Sequence, residues 1–225
     1  REVGLHSSSA AEIETRGAFR LLGAGDVRRP GREAAAQDGK ASFDFGLARR
    51  DLGVARFEAL SLIEQLPGQI AIGHVRYSTT GATILRNVQP LFAELNSGGF
   101  AVAHNGNLTN GITLRRDLVR EGAIMQSTTD TEAILHLVAR SRRGLFVDKF
   151  IEALRALEGS YSLVALTNKK LIAARDPLGI RPLVLGELDG KYILASETVA
   201  LDIIGARFVR DIQNGEVVVI SDEGI

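Results

Sequence analysis

The chain has 225 residues, 45% of them hydrophobic, which is enough to bury the core of one large domain or two small ones, and we expect a single domain. Lysine and arginine together number 27 and are balanced by 27 acidic residues, so the composition favours neither a nucleic-acid partner nor an anionic membrane surface. No cysteine is present, which excludes disulfides, thiolate metal sites and a cysteine nucleophile within these residues.

The remaining composition indicates a soluble protein that acts on a small molecule or binds another protein. Residues 1–4 do not lead into an apolar signal core, and no run of about 18 apolar residues occurs, so we expect a cytoplasmic location. The four histidines are scattered without the spacing of metal ligands, and no metal site is predicted.

The first half of the chain gives few clear elements. Residues 1–50 have no regular hydrophobic period. Apolar residues near helical spacing predict a helix over residues 51–65, and alternation predicts a strand over residues 70–75 that ends at Arg76. A second strand is predicted over residues 99–103, before the Asn105-Gly106 pair.

In the second half a group of helices is followed, from residue 160, by short strands. Thr129 and Glu132 have the spacing of a capping box, so a helix is predicted from there to Arg140. Other helices are predicted over residues 113–121, 146–157 and 196–204. Strands are predicted over residues 161–166, 171–174, 183–188, 192–195 and 216–220. Helices grouped between strands predict an α+β fold dominated by antiparallel hairpins.

Two features suggest a site for an amino-acid amide, although each has a simpler interpretation. Arg76 can clamp a carboxylate through two charge-assisted hydrogen bonds, or it can be an ordinary surface arginine. Asn105-Gly106 can direct an amide and a backbone N–H at an oxyanion, or it can be a tight hairpin turn. Asp130 lies at the start of a predicted helix, where acids are favoured in the first turn.

Three motifs together are more specific than these residues taken singly: Val-Arg-Tyr-Ser-Thr-Thr-Gly at residues 75–81, His-Asn-Gly-Asn-Leu at residues 104–108, and Ser-Thr-Thr-Asp-Thr-Glu at residues 127–132. With them the chain resembles the class II (N-terminal nucleophile) glutamine amidotransferases. The resemblance is clear from residue 66 to residue 225, and residues 1–65 depart from the family.

The resemblance implies a fold and a set of site residues. The fold is a four-layer αββα sandwich, with two stacked antiparallel sheets between outer helices. Arg76 pairs with the α-carboxylate of glutamine, and Asp130 accepts from the α-ammonium. Tyr77 and Ser78 are further substrate-binding residues. The side chain of Asn105 and the N–H of Gly106 form the oxyanion hole.

The sequences of these motifs, and notably residues 175–183, are most similar to those of the glutaminase domain of amidophosphoribosyltransferases. That family releases ammonia from glutamine to form phosphoribosylamine from phosphoribosyl pyrophosphate, in the first step of de novo purine synthesis. The implied partners are glutamine, a phosphoribosyltransferase domain absent from these residues, and further copies in a homo-oligomer. No cofactor is expected here, since Mg²⁺ would belong to the absent domain. Without the resemblance, Arg175 and Arg181 would be interpreted as an ion-paired turn.

The family nucleophile is an N-terminal cysteine, and Val3 stands at the expected position. This chain is therefore expected to lack glutaminase activity, because valine has no nucleophilic group. One alternative is a non-catalytic glutamine-binding or interaction domain. Another is that Ser7, Ser8 or Ser9 becomes N-terminal after cleavage and acts as a slower nucleophile.

Overall fold

The computed structural model describes residues 43–49, 54–57, 70–77 and 85–225, and within them it contains eleven strands, four α-helices and one 3₁₀ helix. The strands are β1 (Phe43–Arg49), β2 (Val54–Phe57), β3 (Ala71–Tyr77), β4 (Leu91–Leu95), β5 (Gly98–Leu108), β6 (Gly159–Thr167), β7 (Leu171–Arg175), β8 (Val184–Leu188), β9 (Lys191–Ala195), β10 (Arg207–Asp211) and β11 (Val217–Ile220). The helices are α1 (Gly111–Arg120), α2 (Thr131–Arg140), α3 (Phe146–Leu154) and α4 (Thr198–Ile204), and the 3₁₀ helix is Leu85–Asn87.

Five antiparallel strands form the central sheet, in the order β11-β7-β6-β5-β4. Successive side chains of a strand point to opposite faces, and in β6 Leu163 and Ala165 enter one core while Val164 and Leu166 enter the other. Because both faces are covered, the sequence of this strand is a nearly continuous apolar run rather than an alternating one.

Helices α2 and α3 cover one face of the central sheet. Phe150 of α3 is fully buried, and its ring meets that of Phe100 of β5 edge-on with 6.3 Å between centroids. Phe146, one turn earlier in α3, meets the same ring at 5.0 Å. This aromatic contact fixes α3 against the middle of the domain.

The other face carries two three-stranded sheets, β2-β1-β3 and β10-β8-β9. Ile72 of β3 and Leu194 of β9 belong to the same core as Val164. Helix α4 lies close on the outside of β8, because a Cβ on Gly186 would lie only 2.6 Å from Cδ2 of Leu201. The order of layers is therefore helix, sheet, sheet, helix, and the predicted four-layer sandwich is confirmed.

Most predicted elements are confirmed, but the helix over residues 51–65 is wrong where the structure describes it. Val54–Phe57 is a strand that pairs antiparallel with β1, with Phe57 opposite Phe45. Short apolar runs fit helical and extended spacing almost equally, and here pairing with a neighbouring strand decides. Strands β1, β4 and β10 were not predicted, and α3 ends at Leu154 rather than near residue 157.

Candidate active site

A cavity of about 1040 Å³ opens beside the C-terminal half of β5. Asn105, Gly106 and Asp130 all lie on its wall, as the sequence predicted for a shared site. Val75 also lines it, and Arg76 and Tyr77 follow directly as the last residues of β3. Val3 and Ser78 lie outside the described residues. Other polar residues of the wall include His74, Asn87, Gln89, His104, Arg115 and Glu197.

The Asn105-Gly106 pair lies inside β5, and its interpretation as a hairpin turn is wrong. Asn105 is opposite Ser162 of β6 and Gly106 is opposite Tyr161. Gly106 has φ of +155°, and a Cβ there would lie 2.1 Å from the carbonyl oxygen of Ser160 and 2.8 Å from Nε2 of His104. Glycine is required because β6 and the imidazole approach the backbone too closely for a side chain.

The amide of Asn105 is buried. Its Nδ2 donates to Oγ of Ser196 at 3.3 Å, and Ser196 follows the end of β9. Opposite Asn105, the hydroxyl of Ser162 donates to the carbonyl of Pro182 at 2.6 Å. The orientation of the candidate oxyanion donor is thus set by the second sheet layer, through a residue that the sequence indicated only as the start of a helix.

Asp130 faces the cavity from the N-terminal end of α2. Its Oδ2 accepts from the backbone N–H of Leu108 at 2.8 Å, and its Oδ1 lies 3.7 Å from Nδ1 of His104. Burial acts to raise the pKa of Asp130, but the hydrogen bond and charge of the His104 imidazole and the N–H of Leu108 outweigh it, so the pKa lies below its usual value. The carboxylate is therefore kept ionised, as an ammonium ligand requires.

The predicted capping box between Thr129 and Glu132 is wrong. Helix α2 begins at Thr131, and its N-cap residue Asp130 makes no side-chain capping bond. The buried carboxylate of Glu132 instead accepts from the N–H of Gln126 at 2.6 Å and from the N–H and hydroxyl of Ser127, each at 2.8 Å. Glu132 thus organises the loop that precedes Asp130 rather than the first turn of its helix.

Two amide side chains of the wall, Asn87 and Gln89, were not identified as site residues from the sequence. Asn87 contacts both the backbone N–H and the hydroxyl of Thr128. Gln89 accepts from the N–H of His104 at 2.7 Å. Both are buried, and the only sequence signal for them was polar amides placed just before the apolar residues of β4, where a buried amide must find partners.

The loop at residues 175–183 supplies a further wall of the cavity. The fully buried Asp176 accepts from the N–H groups of Leu178, Ile180 and Arg181, each at 3.1 Å. Arg175 donates to the carbonyls of Gly179, Arg181 and Ile212. Within the described residues neither Arg175 nor Arg181 forms an ion pair, so the interpretation of an ion-paired turn is wrong, and Arg181 lies at the cavity.

In the described part of the chain, no helix is long and apolar enough to cross a membrane. In the same residues, no group of three or more histidine or acidic side chains is placed to hold a metal ion.

The fold and this site define the class of protein. Residues 74–202, more than half of the chain, match the family described as "Glutamine amidotransferase domain". The chain belongs to this family, and its sandwich is of the N-terminal nucleophile hydrolase type.

The more specific likeness is to amidophosphoribosyltransferases. The enzyme of that name from Rhizobium etli is 56% identical over 207 residues, covering 90% of this chain and 41% of the relative. Amidophosphoribosyltransferase 2, chloroplastic, from Arabidopsis thaliana is 49% identical over 166 residues, covering 73% of this chain and 30% of the relative. The chain therefore spans less than half the length of these relatives.

A solved structure shows the same likeness. The glutamine phosphoribosylpyrophosphate (PRPP) amidotransferase from B. subtilis, complexed with ADP and GMP, matches with a TM-score of 0.78 and 32% identity. The match covers 92% of this chain and 48% of that one. A glutamine aminotransferase class-II domain protein from Silicibacter pomeroyi matches at a TM-score of 0.57 and 16% identity, which supports the fold alone.

Proposed function

We propose that the cavity beside β5 binds glutamine and that this chain is the glutaminase part of an amidophosphoribosyltransferase. The observation that carries the proposal is the placement of Asp130, Asn105 and Gly106 on one wall, with Asp130 bonded to the N–H of Leu108. One end of this wall offers an ionised carboxylate and the other offers neutral donors. Glutamine has a matching ammonium at one end and an amide at the other.

The spacing along β5 suits the length of the substrate. A strand rises about 3.3 Å per residue, so Gly106 lies about 7 Å from the residue whose N–H holds Asp130. The three bonds from Cα of glutamine to its amide carbon span about 4 Å, and a hydrogen bond at each end adds about 2.9 Å. A glutamine whose ammonium meets Asp130 can therefore reach Asn105 and Gly106 with its amide.

In this proposal each group acts on a different part of the substrate. Asn105 and Gly106 donate to the oxygen that becomes negative when the amide carbon is attacked, where preorganised donors stabilise the transition state. Arg76 holds the α-carboxylate, and Tyr77 and Ser78 also bind the substrate; these three assignments come from the family resemblance. Asp130 fixes the ammonium and so selects an α-amino acid amide.

The ammonia would be used elsewhere in a longer protein. By likeness to the amidophosphoribosyltransferases, it would pass to phosphoribosyl pyrophosphate on a phosphoribosyltransferase domain, with Mg²⁺ bound there, and form phosphoribosylamine for purine synthesis. Assembly into a homo-oligomer and a cytoplasmic location belong to the same proposal. None of this transfer chemistry is assigned to the residues of the cavity.

We further propose that the 225 residues do not hydrolyse glutamine by themselves, because they contain no thiol. The rival function, a domain that binds glutamine without turnover, is favoured by the same observation. Both require the cavity to recognise glutamine. They differ in whether ammonia is released, and an ammonia assay during a glutamine titration separates them.

Calorimetric titration with two ligands tests the proposed site. The ligands are glutamine and glutaramate, which is glutamine without its α-amine. A hydrogen bond to a charged group contributes about 1.5 to 3 kcal/mol, so Asp130→Asn should weaken glutamine binding by about that amount. Binding of glutaramate should hardly change. Failure of the unmodified chain to bind glutamine would refute the site, and equal losses for both ligands would remove Asp130 from the ammonium contact.

A further inference from the structure

A polar bridge crosses the wall of the cavity between Asn87 and Thr128, which lie 41 residues apart in the chain. Nδ2 of Asn87 donates to Oγ1 of Thr128 at 2.9 Å, and Oδ1 of Asn87 accepts from the N–H of Thr128, also at 2.9 Å. The hydroxyl of Thr128 also lies 3.2 Å from that Oδ1. Asn87 thereby uses both ends of its amide on one residue of a loop.

This bridge holds the middle of the loop that leads into Asp130. On one side, Glu132 holds the backbone of Gln126 and Ser127, and Nη2 of Arg115 donates to the carbonyl of Ser127 at 2.7 Å. On the other side, the carboxylate of Asp130 accepts from Leu108. Thr128 lies between these two anchors.

Asn87 and Glu132 support the loop from different parts of the fold. Asn87 is 7% exposed and comes from the 3₁₀ helix that precedes β4, so it is carried by the sheet layers and not by α2. Glu132, by contrast, belongs to α2 itself. A buried amide that joins two separately supported segments limits the loop to one placement, and its loss would leave buried polar groups without partners.

We propose that Asn87 is a positioning residue for substrate recognition: by holding Thr128, it sets where Asp130 meets the α-ammonium of glutamine. This inference rests on the proposed function, since it assigns a task only if Asp130 binds that ammonium. Asn87 acts through Asp130, two residues beyond its contact, and it is not itself assigned to the ammonium.

The test compares the affinities of glutamine and glutaramate for the 225-residue chain and for Asn87→Ala. We expect glutamine to bind roughly tenfold more weakly to the variant, because a displaced carboxylate forfeits most of a charge-assisted hydrogen bond, and glutaramate to bind as before. The ratio of the two affinities is a readout that a merely structural role would not change. A variant that lowers both affinities equally would overturn the proposal.

Asn110→Ala is the matched control. The Asn110 side chain also makes two bonds, donating to the carbonyl of Ala156 at 2.9 Å and accepting from the N–H of Glu158 at 3.1 Å, but it does not line the cavity. We expect a comparable loss of thermal stability for this variant with no change in the affinity ratio. A change in the ratio as large as that of Asn87→Ala would show that the effect is not specific to the bridge.

Combination with Asp130→Asn separates positioning from direct contact. If Asn87 acts through Asp130, then Asn87→Ala should not alter the affinity ratio further in the Asp130→Asn background. Additive losses would show that Asn87 binds the ligand itself and would overturn the proposal.

Should Asn87→Ala fail to fold, Thr128→Val removes the hydroxyl half of the bridge and should lower the ratio of glutamine affinity to glutaramate affinity by about threefold. An unchanged ratio for a folded Thr128→Val would then count against the bridge. If the unmodified chain does not bind glutamine, the proposed function itself is overturned.

Discussion

Gly106→Ala is the substitution whose effect can be worked out most directly from the structure. The backbone at Gly106 has φ of +155°, in a region that is essentially restricted to glycine, and holding alanine there costs about 1 to 3 kcal/mol. In addition, the new Cβ would lie 2.1 Å from the carbonyl oxygen of Ser160, which is backbone of β6 and cannot rotate away. Relieving such an overlap in a packed interior typically costs another 1 to 3 kcal/mol.

The expected total is a loss of about 2 to 6 kcal/mol in the free energy of unfolding, against a stability of roughly 5 to 15 kcal/mol for a typical domain. Urea denaturation followed by circular dichroism measures this loss. Separation of β5 from β6 at residue 106 would also shift Asn105, so a folded Gly106→Ala should bind glutamine more weakly. The two effects follow from one displacement of the strand.

Gly122→Ala provides the control for backbone strain alone. Gly122 also has a positive φ, +93°, but a Cβ there would meet nothing within 4 Å. We expect Gly106→Ala to lose about 1 to 3 kcal/mol more than Gly122→Ala, which is the cost of the close approach. Equal losses in the two variants would refute the argument that β6 excludes a side chain at residue 106.

Two other predictions concern the charge of Asp130 and the absent nucleophile. Because the folded-state pKa of Asp130 lies below its ordinary value of 3.8, its ionised form should stabilise the fold fully above that pH and progressively less as the pH falls through the lower, folded-state pKa. The difference in unfolding free energy between the unmodified chain and Asp130→Asn should therefore shrink as the pH falls below 3.8; a difference that grows there would contradict the assigned pKa direction. Val3→Cys, in a chain processed so that residue 3 is N-terminal, should allow labelling by an electrophilic glutamine analogue and release of ammonia, because the α-amine can accept the thiol proton. A folded variant that is neither labelled nor active would mean that residue 3 does not lie beside Asn105 and Gly106, and would favour the binding-domain alternative.

The sequence predicted the inner layers better than the connections between them. Near-continuous apolar runs located β6 and β7, because a strand covered on both faces has no polar side. The alternating strand β4 was missed, and the helix predicted over residues 51–65 is a strand at Val54–Phe57. In those segments the conformation depends on a partner strand that local spacing does not contain.

For the candidate site as well, the sequence predicted some features, and others depend on contacts between distant segments. The residue types predicted that Asn105 and Gly106 could serve an amino-acid amide, which needs donors for its oxygen, and the family resemblance implied that Asp130 shares their site. The sequence did not predict that the Asn-Gly pair is extended strand. That conformation follows from pairing with β6, which supplies the backbone oxygen that excludes a side chain at Gly106.

Only the tertiary structure decided how the site residues are held. Asn87 reaches Thr128 across 41 residues, Ser196 orients Asn105 across 91, and Glu132 bonds to the preceding loop instead of capping its helix. Hydrogen bonds between distant segments depend on where the layers stack, and that depends on burial summed over the whole core rather than on any local pattern. The sequence by itself determined which chemical groups are present and in which order; the stacking of two sheets determined which of them meet.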